Sequence, residues 1–362
     1  MKFIFIVQGE GRGHSTQAIA LHEILIKNGH EICAVLIGQS KRREIPSFFI
    51  DKIKAPIIGF QSPNFVLDEN NKGLKIRKSF LANLLQTRTY IDSLKAIDQS
   101  VKKHQPDVII NFYDLLAGIY SCFYKKKREF RFVCISHHFV FQHPDFEFPK
   151  GHFADKFLLN CHSVITSAKS DLKLALSFVP MNDIPQQQLF AVPPLLRSEV
   201  RKLKSKDLNF ILLYIVNDGY AEEIIAWHEN NTHLKLVCFW DRKTIEDHFF
   251  PHKNLVFRQL NDVDFLEHLR TCSGYASTAG FESICEAMYL GIPVMMVPTA
   301  NHFEQLCNSI DAEKAGAGIR NDEFNVSLLT EYLHKHKNQT AEFRNWADLA
   351  ENKIMDLIFA KR

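Results

Sequence analysis

The sequence predicts an α/β protein built from two Rossmann-like doubly wound domains that face a cleft. Apolar runs of strand length alternate along the chain with segments of helical periodicity. A glycine-containing turn joins a strand to a helix near each end of the chain. The strand–turn–helix order also restarts in the middle, after two consecutive prolines. Alternation of this kind favours parallel sheets and excludes an all-β fold or a repeat solenoid.

The composition indicates a globular protein of the soluble class. Of the 362 residues, 46% are hydrophobic and 23% are charged, and this length favours two domains. The net charge of +3 is too small to suggest a nucleic-acid partner. The longest apolar runs are strand-sized and no signal-peptide layout is visible, so we expect a cytoplasmic protein. The eight cysteines include no C-x-x-C pair, which favours buried thiols over disulfides or zinc ligands.

The first strand–turn–helix unit opens the chain. Lys2–Val7 is a continuous apolar run, as in a strand buried on both faces of a parallel sheet, and Thr16–Asn28 follows with helical periodicity. The turn between them contains Gly9, Gly11 and Gly13. Glycines allow a tight turn and a close approach of the backbone to a ligand. Their spacing lacks the G-x-G-x-x-G pattern and no acidic residue clearly closes the second strand, Glu31–Ile37, so a nicotinamide cofactor is disfavoured.

Two candidate catalytic residues follow strands of this half. His14 would stand at the start of the first helix, where the helix dipole tends to keep an imidazole neutral and therefore suited to act as a general base. The alternative is a turn histidine that only makes hydrogen bonds. Asp114 lies just past the buried strand Asp107–Phe112, at the carboxyl end where ligands bind in doubly wound sheets.

The next strand, Phe132–Ser136, leads into two adjacent histidines, His137 and His138. Successive side chains of an extended chain point to opposite sides, so a metal site that uses both is disfavoured. One of the two is instead the candidate contact to an acceptor. We expect the last strands of this half at Ser163–Ser167 and Leu189–Val192.

Two basic segments of the first half, Lys41–Arg43 and Lys72–Lys78, flank apolar stretches. The simplest interpretation is that they are solvated loops and helix faces. The alternative is an amphipathic basic patch that touches anionic lipid or a lipid-linked acceptor, which implies peripheral contact with the inner face of the membrane.

Pro193-Pro194, followed by the polar run Arg197–Asp207, marks the expected domain boundary. We predict an acceptor-binding domain over 1–195, a donor-binding domain over 196–340, and a C-terminal helix within 341–362 that could pack back on the first domain. Predicted strands of the second half are Phe210–Val216, Leu234–Trp240, Leu255–Phe257 and Gly274–Ala276, and predicted helices are Ala221–Glu229, Asp262–Cys272 and Phe281–Leu290.

The stretch Gly274–Asn308 contains the clearest candidate binding site. Four small residues precede its helix Phe281–Leu290, namely Ser277, Thr278, Ala279 and Gly280. Such a helix start offers free backbone N–H groups and a positive dipole end to an anion. The alternative is an ordinary βαβ turn. The second glycine-rich turn, at Gly9–His14, favours the ligand site.

On these residues the chain resembles the GT-B glycosyltransferases that use nucleotide sugars, of the peptidoglycan N-acetylglucosaminyltransferase and UDP-glycosyltransferase type. Their donor motif reads G-x-x-S/T-x-x-E-A, then G-x-P, a Pro-ended strand and a D/E-Q pair. Matching positions are Gly280, Ser283, Glu286, Ala287, Gly291, Pro293, Pro298, Glu304 and Gln305. The resemblance implies that Gly280 and Ser283 bind the diphosphate and that Glu286 binds the ribose hydroxyls. It assigns Glu304 and Gln305 to the donor sugar.

The resemblance extends to other loops. Gln259-Leu260 matches the segment that holds the base through backbone groups, and Asn217–Gly219 matches the loop that closes on the phosphates. Gly9–His14 matches the family's glycine-rich loop that ends in histidine. Two positions depart from the pattern: Asn111 stands where relatives often have Asp, and Thr278 stands where plant-type members have His.

The function that the resemblance implies is an inverting transfer of a sugar from a UDP-sugar to a hydroxyl acceptor. His14, helped by Asp114, would take the acceptor proton. The Gly280–Ser283 helix start would stabilise the departing diphosphate, together with the loop that contains Gly11 and Gly13. We expect no D-x-D pair at a strand end in the cleft, so neither a divalent metal nor a cofactor is expected.

Two other functions stay open at this point. A UDP-N-acetylglucosamine 2-epimerase shares the fold, but it would need additional carboxylates and arginines in the cleft. A nucleotide-sugar binding protein without catalysis would keep the donor pocket alone. The sequence identifies neither the donor sugar nor the acceptor, which could be an envelope lipid, a polysaccharide or a small molecule.

Overall fold

The computed structural model describes residues 1–39, 45–63, 86–216, 218–241 and 248–360. These residues divide into two compact units. The first unit comprises the described residues of 1–63, 86–198 and 346–360, and the second comprises those of 199–345. The division after Ser198 lies within the polar run Arg197–Asp207. Both basic segments named above, Lys41–Arg43 and Lys72–Lys78, lie outside the described residues.

The first unit is built around a parallel sheet. Its strands are β1 (Lys2–Gln8), β2 (Glu31–Gln39), β3 (Ile57–Gln61), β4 (Val108–Phe112), β5 (Arg131–Ser136), β6 (Leu172–Leu176) and β7 (Leu189–Val192). Their order across the sheet is β3-β2-β1-β4-β5-β6-β7, and neighbouring strands are parallel throughout. The winding direction reverses between β1 and β4, so the loops that follow these two strands flank the crevice in which doubly wound sheets bind ligands.

Helices connect these strands and cover the sheet. They are α1 (Arg12–Lys27), α2 (Ser47–Lys52), α3 (Thr87–His104), α4 (Leu115–Arg128) and α5 (Phe153–Thr166), with a 3₁₀ turn at His137–Gln142. Residues Phe3–Val7 of β1 are fully buried, which explains the unbroken apolar run at the start of the chain. A hydrophobic cluster that includes Ile4, Ile109 and Phe132 joins the sheet to Val101 of α3 and Tyr120 of α4.

One strand prediction in this unit was wrong. Ser163–Ser167 was predicted as a strand, but Ser163 belongs to α5, which ends at Thr166, and strand β6 follows at Leu172. The β-branched run of Val164, Ile165 and Thr166 favours an extended chain by propensity. Ser163 and Thr166 are the buried residues of this helix, so tertiary packing overrides that local preference.

The second unit repeats the architecture. Its strands are β8 (Ile211–Ile215), β9 (Leu236–Trp240), β10 (His248–His252), β11 (Leu255–Gln259), β12 (Gly274–Ser277), β13 (Val294–Met296) and β14 (Gly318–Arg320). Their order is β10-β11-β9-β8-β12-β13-β14. The pairs are parallel except for β10, an edge strand antiparallel to β11 that the sequence did not indicate. Here the winding reverses between β8 and β12.

The helices of the second half follow the same rhythm. They are α6 (Ser198–Lys202), α7 (Ala221–Glu229), α8 (Asp262–Thr271), α9 (Phe281–Leu290), α10 (Phe303–Lys314), α11 (Val326–Leu333) and α12 (Thr340–Ala347), with a 3₁₀ turn at Asp218–Tyr220. The predicted bounds of α7 and α9 are confirmed. No helix in the described ranges has both the length and the apolar composition needed to span a bilayer.

The chain ends in helix α13 (Ala350–Phe359), which packs on the first unit. The guanidinium of Arg131 donates hydrogen bonds to the carbonyls of Leu357, Ile358 and Ala360, the last at 3.2 Å. A cation therefore satisfies carbonyl groups that the helix end leaves without intrahelical partners. The ring of Phe359 stacks on His30 at a centroid distance of 4.5 Å.

Candidate functional site

The loop after β1 contains three glycines and lies at the edge of the first sheet where the winding direction reverses between β1 and β4. A Cβ atom at Gly9 would collide with the carbonyl of Gly38 on the neighbouring strand, so the chain packs there too closely for any side chain. Gly11 is the N-cap of α1 and would meet no atom within 4 Å if it carried a Cβ. Gly13 and His14 lie in the first turn of α1, which begins at Arg12 rather than at the predicted Thr16. No side chain caps this helix start.

His14 occupies a position suited to accept a proton. Its side chain is half-buried in the first turn of α1, where the helix dipole favours a neutral imidazole. Its Nδ1 lies 3.4 Å from Oε1 of Gln17, one helical turn away. An amide oxygen can only accept, so this contact fits the neutral tautomer that carries its hydrogen on Nδ1.

His14 belongs to a cluster of aromatic rings at the carboxyl edge of the sheet. Its ring centroid lies 5.9 Å from that of Tyr113 and 5.7 Å from that of His138, with interplanar angles of 24° and 28°. Tyr113 and His138 stack directly on each other, with centroids 3.8 Å apart. The loops after β1, β4 and β5 thus converge on one group of near-parallel rings.

The two adjacent histidines lie in the 3₁₀ turn His137–Gln142 and not in an extended chain, and their environments differ. Nδ1 of His138 lies 2.8 Å from Oγ of Ser136, which also accepts from the backbone N–H of His138, so the ring is held within the cluster. His137 instead places its Nδ1 2.7 Å from the carbonyl of Leu176 on β6, and its ring contacts Phe178. The structure therefore brings His138 to His14 and packs His137 against the sheet.

Asp114 is the N-cap of α4. Its carboxylate accepts from the N–H groups of Leu116 (2.9 Å) and Ala117 (3.3 Å) and from Oγ of Ser62 (2.7 Å). The residue is fully buried, and burial raises its pKa from 3.8 to about 6 against the opposing effect of these hydrogen bonds. Asn111 holds the turn, because its amide donates to the carbonyl of Asp114 at 3.0 Å while its oxygen accepts from the N–H of Asp114 at 2.9 Å. An aspartate at 111 could not make both bonds.

The second unit has its own candidate site after β12. Thr278 is buried, and Ala279 adopts a left-handed backbone with φ +45°. Gly280 is the N-cap of α9, and no side chain caps this helix start. Ser283, in the first turn, places its Oγ 3.4 Å from the carbonyl of Gly280. Asn308 of α10 holds the turn by donating from Nδ2 to the carbonyl of Ala279 at 3.2 Å.

Buried polar atoms surround this helix start. In the part of the chain that the structure describes, Oγ1 of Thr299 and Oδ1 of Asn308 are buried and have no hydrogen-bond partner. Thr299 follows β13 and is 3% exposed, and Asn308 lies on α10 and is 1% exposed. Buried polar atoms are nearly always hydrogen-bonded in folded proteins, so this set indicates a polar ligand or ordered water at the site.

The remaining donor candidates lie on the same strand edge. Oε1 of Gln305 accepts from the backbone N–H of Thr299 at 2.8 Å, so this side chain shapes the loop that the resemblance assigns to the sugar. Glu304 lies in the first turn of α10. Gly219 lies in the 3₁₀ turn after β8, and the next residue, Tyr220, accepts from the N–H of Ala300 through its hydroxyl at 3.3 Å.

Two further donor candidates, Glu286 and Leu260, differ in the groups that they could offer to a ligand. Glu286 lies on α9 and is 2% exposed. The backbone N–H of Leu260 donates to the carbonyl of Trp240 at 3.0 Å, so only the carbonyl of Leu260 could serve a base. Asn217 lies outside the described residues.

One D-x-D spacing does occur after a strand, contrary to the expectation from sequence. Asp262 and Asp264 form it at the start of α8, shortly after β11. Oδ2 of Asp264 pairs with Nη2 of Arg258 at 3.0 Å, so this carboxylate already has a cationic partner.

Sequence reasoning missed several residues of these sites. Tyr113 and Thr299 were not singled out as candidates, although Tyr113 stands directly after β4 and Thr299 is the third residue after the end of β13. That position was the available signal, because ligand sites of doubly wound sheets lie at the carboxyl ends of strands. The left-handed backbone of Tyr113 gave no sequence signal, since an aromatic residue rarely adopts it.

Comparison with known proteins yields consistent matches. The model of the family described as glycosyl transferase family 1 matches residues 1–336. An uncharacterised glycosyltransferase of Methanosarcina acetivorans is 24% identical over 385 aligned residues, which cover 97% of this chain and 92% of the relative. The crystal structure of the glycotransferase of kitacinnamycin superposes with a TM-score of 0.64 at 15% identity, covering 98% and 97% of the two chains. Phytolacca americana UGT2, solved with UDP-2fluoro-glucose and pterostilbene, gives a TM-score of 0.62 at 11% identity, covering 98% and 96%.

Proposed function

The chain belongs to glycosyl transferase family 1, and on this basis we propose that it transfers a sugar from a UDP-sugar to a hydroxyl acceptor with inversion at the anomeric carbon. That it is a glycosyltransferase with the GT-B fold follows from the family model and the superposed structures. The proposal of a UDP-sugar donor is supported by the candidate site in the second unit of this chain. It is also supported by a similar structure, because UGT2 of Phytolacca americana was solved with UDP-2fluoro-glucose.

The observation that carries the proposal is the uncapped start of α9 with its surrounding buried polar atoms. The first-turn N–H groups after Gly280 and the positive dipole end suit a diphosphate. The partnerless oxygens of Thr299 and Asn308 suit a ligand rich in hydroxyl groups or phosphate oxygens. We assign Ser283 and Thr278 to the same phosphate contacts, and Glu286 to the ribose hydroxyls.

The proposed reaction is a single displacement. The lone pair on Nε2 of His14 takes the proton of the acceptor hydroxyl while the acceptor oxygen bonds to the anomeric carbon. The bond from that carbon to the diphosphate oxygen breaks, and its electron pair leaves with the diphosphate. The N–H groups at the start of α9 stabilise the charge that develops there, which is the part a divalent ion plays in other transferases. We propose that no metal and no cofactor is needed for this step.

We also propose that the acceptor is presented at a membrane surface. Helix α5 has a reversed polarity: its buried residues are Ser163 and Thr166, whereas Phe153, Phe157 and Val164 are 85%, 67% and 55% exposed. The three exposed side chains are spaced by four and seven residues, so they share one face of the helix. Exposed apolar faces of this kind mark interaction sites, and a lipid bilayer suits a face of two phenylalanines and a valine.

Donor binding is the direct test. UDP-sugars, GDP-sugars and TDP-sugars are compared by thermal shift, and the pair of donor and hydroxyl acceptor that turns over is then used for kinetics, with EDTA present in a parallel series. We expect a UDP-sugar to give the largest shift and EDTA to leave the rate unchanged. Absence of transfer with every donor tested, or epimer formation from UDP-N-acetylglucosamine without any acceptor, would contradict the proposal.

Glu286→Ala tests the donor assignment within that reaction. Hydrogen bonds to a carboxylate are worth about 1.5–3 kcal/mol, so we expect the donor KM to rise by about 10- to 100-fold. Glu222→Ala, an exposed glutamate of α7 in the same unit, is the matched control and should leave the KM unchanged. A normal donor KM in a folded Glu286→Ala enzyme would remove the ribose assignment.

A further inference from the structure

We propose that the ion pair of Arg258 and Asp264 positions the loop that reads the nucleotide base: it fixes the short turn after β11 so that the carbonyl of Leu260 accepts a hydrogen bond from the ring N–H of uracil. The inference rests on the proposed function, in which the donor is a UDP-sugar. It extends that function to two side chains that determine the choice of base.

The turn between β11 and α8 disfavours an anion. Oδ1 of Asn261 accepts from the N–H groups of Val263 and Asp264, both at 3.0 Å, so two N–H groups of the first helical turn are already bonded. Asp262 and Asp264 add negative charge to the same turn. The starts of α1 and α9 have no side-chain cap. The turn after β11 therefore suits a neutral group that donates hydrogen bonds, and not a phosphate.

The strand side of this turn offers a carbonyl to such a group. The N–H of Leu260 donates to the carbonyl of Trp240 at 3.0 Å and extends the pairing of β11 with β9 by one residue. The carbonyl of Leu260 can only accept. Uracil carries a hydrogen on N3, whereas cytosine carries a lone pair on the same atom. A carbonyl that faces N3 therefore selects uracil over a base of the same ring size.

Arg258 links the two sides of the turn. Its Nη2 pairs with Oδ2 of Asp264 at 3.0 Å, which joins a strand residue before the turn to a helix residue after it. Its Nη1 lies 2.9 Å from Nε2 of His268, one helical turn beyond Asp264. The guanidinium carbon is 5.9 Å from the ring centroid of Phe239, the buried residue paired with Arg258 on β9. Groups of α8 and β9 thus hold the arginine in one place.

The contacts of His268 fit its neutral form. A guanidinium can only donate, so Nε2 of His268 accepts from Arg258 and the ring hydrogen is on Nδ1. That hydrogen has an acceptor at 2.7 Å in the carbonyl of Asp264. The ring meets Phe239 and Phe210 edge-to-face, at centroid distances of 5.3 and 5.8 Å. The histidine therefore holds the second arm of the guanidinium while the first arm pairs with the carboxylate.

The experiment compares two arginines that each pair with a carboxylate of α8. Arg258→Met removes the ion pair across the turn. Arg270→Met is the matched control, because Arg270 pairs with Glu267 within α8 and its side chain is 26% exposed, against 25% for Arg258. Titration calorimetry gives the Kd of UDP and of CDP for wild type and both variants. The two ligands share the ribose and the diphosphate, so the ratio of their Kd values reports the base alone.

We expect wild type to bind UDP at least about tenfold more tightly than CDP, because a site built around one hydrogen bond rejects the analogue that cannot make it. Arg258→Met should lower this ratio to less than about threefold, mainly through a higher Kd for UDP. Arg270→Met should keep the wild-type ratio. In the transfer assay Arg258→Met should raise the donor KM about tenfold at an unchanged kcat, since the base is remote from the anomeric carbon.

Asp264→Ala is the second variant, and it removes the same ion pair from the helix side. We expect it to lower the ratio as Arg258→Met does, and the double variant to be no worse than either single variant, because both changes remove one interaction.

Three results overturn the inference. The first is a wild-type protein that binds CDP as tightly as UDP. The second is a wild-type ratio in the folded Arg258→Met or Asp264→Ala protein. The third is an equal loss of the ratio in Arg270→Met, since a change in general stability would then explain the effect.

Failure of the proposed function is a separate outcome. A wild-type protein that transfers no sugar from any nucleotide sugar refutes the proposed function, whereas the ratio of Kd values needs neither acceptor nor turnover. If wild type transfers sugar from a UDP-sugar and Arg258→Met keeps the wild-type ratio, only the role of Arg258 fails.

Discussion

At the scale of single residues, the hydrogen bonds of a buried polar side chain indicate whether it holds the structure in place. Asp114 is a helix cap with three hydrogen bonds, and Asn111 holds the turn before it by donating and accepting at once. His14 differs, because it is half-buried at an uncapped helix start and its Nδ1 lies 3.4 Å from Oε1 of Gln17. Residue type alone does not separate His14 from Asp114, since either side chain could act as a general base.

The stability of the protein should depend on pH through Asp114. Its pKa is 3.8 in the unfolded chain and about 6 in the folded protein, so the native state binds more protons between these values. Stability from this group is therefore fully present below about pH 4 and is lost as pH rises through 6. The loss is on the order of 3 kcal/mol, since one pKa unit corresponds to about 1.4 kcal/mol.

Asp114→Asn should remove this pH dependence, because Asn is also a good N-cap. Urea unfolding at pH 4.5 and pH 7.5 measures it: the difference in the free energy of unfolding between the two pH values should shift in favour of pH 7.5 in the variant. An identical difference in wild type and variant would show that Asp114 ionises normally in the folded state.

At the scale of elements, both candidate sites are helix starts that follow a strand at a switch point. The starts of α1 and α9 share a glycine N-cap and the absence of a side-chain cap. A serine or aspartate at either N-cap would stabilise the helix but would occupy the N–H groups that a phosphate needs. Helix stability is thus lower than it could be at the two places where an anion is expected.

The glycines of the first turn should respond differently to alanine. Gly9→Ala should lower the free energy of unfolding by about 1–3 kcal/mol, because its Cβ would meet the backbone of Gly38 and one of the strands must shift. Gly11→Ala should lower it by less than about 1 kcal/mol, since that Cβ points into open space. Urea unfolding measures both.

The donor KM of the Gly11→Ala variant tests whether Gly11 contacts the donor. Gly11→Ala should raise the donor KM several-fold if the backbone at the start of α1 approaches the donor, although the fold is retained. A Gly11→Ala enzyme with wild-type kinetics would remove Gly11 from the donor contacts and leave it as a structural cap.

At the scale of the whole molecule, one helix joins the chemistry of the first unit to an outward surface. The inner face of α5 supplies Ser163 to Tyr113 and His162 to the ring cluster, and its opposite face exposes Phe153 and Phe157. The ring cluster that contains His14 and the exposed apolar face therefore share one helix of the first unit.

Membrane association should depend on that outer face. The double variant Phe153→Ser/Phe157→Ser is expected to reduce binding to vesicles of phosphatidylcholine and phosphatidylglycerol at least tenfold, because each Phe loses about 1.5–3 kcal/mol of burial. Phe250→Ser is the matched control, since Phe250 is 64% exposed on β10 of the second unit. Sedimentation with vesicles measures the effect; equal binding by wild type and both variants, or no binding by wild type, would contradict the membrane proposal.

The sequence by itself determined the alternation of strands and helices and the restart after the prolines. These depend on local patterns of hydrophobicity, glycine and helix starts, which a single chain displays directly. The candidate donor residues came from the family resemblance, and their roles stay a prediction.

Only the tertiary structure decided which histidine lies near His14, that Asp114 acts as a helix cap, and that Tyr113 stacks on His138. It also decided that Ser163–Thr166 is helical and that the apolar face of α5 is exposed. Each depends on contacts between residues far apart in the chain, such as Tyr113 with Ser163 and Asp114 with Ser62. Such contacts hold a left-handed backbone or overrule a local propensity, and neither effect has a sequence pattern of its own.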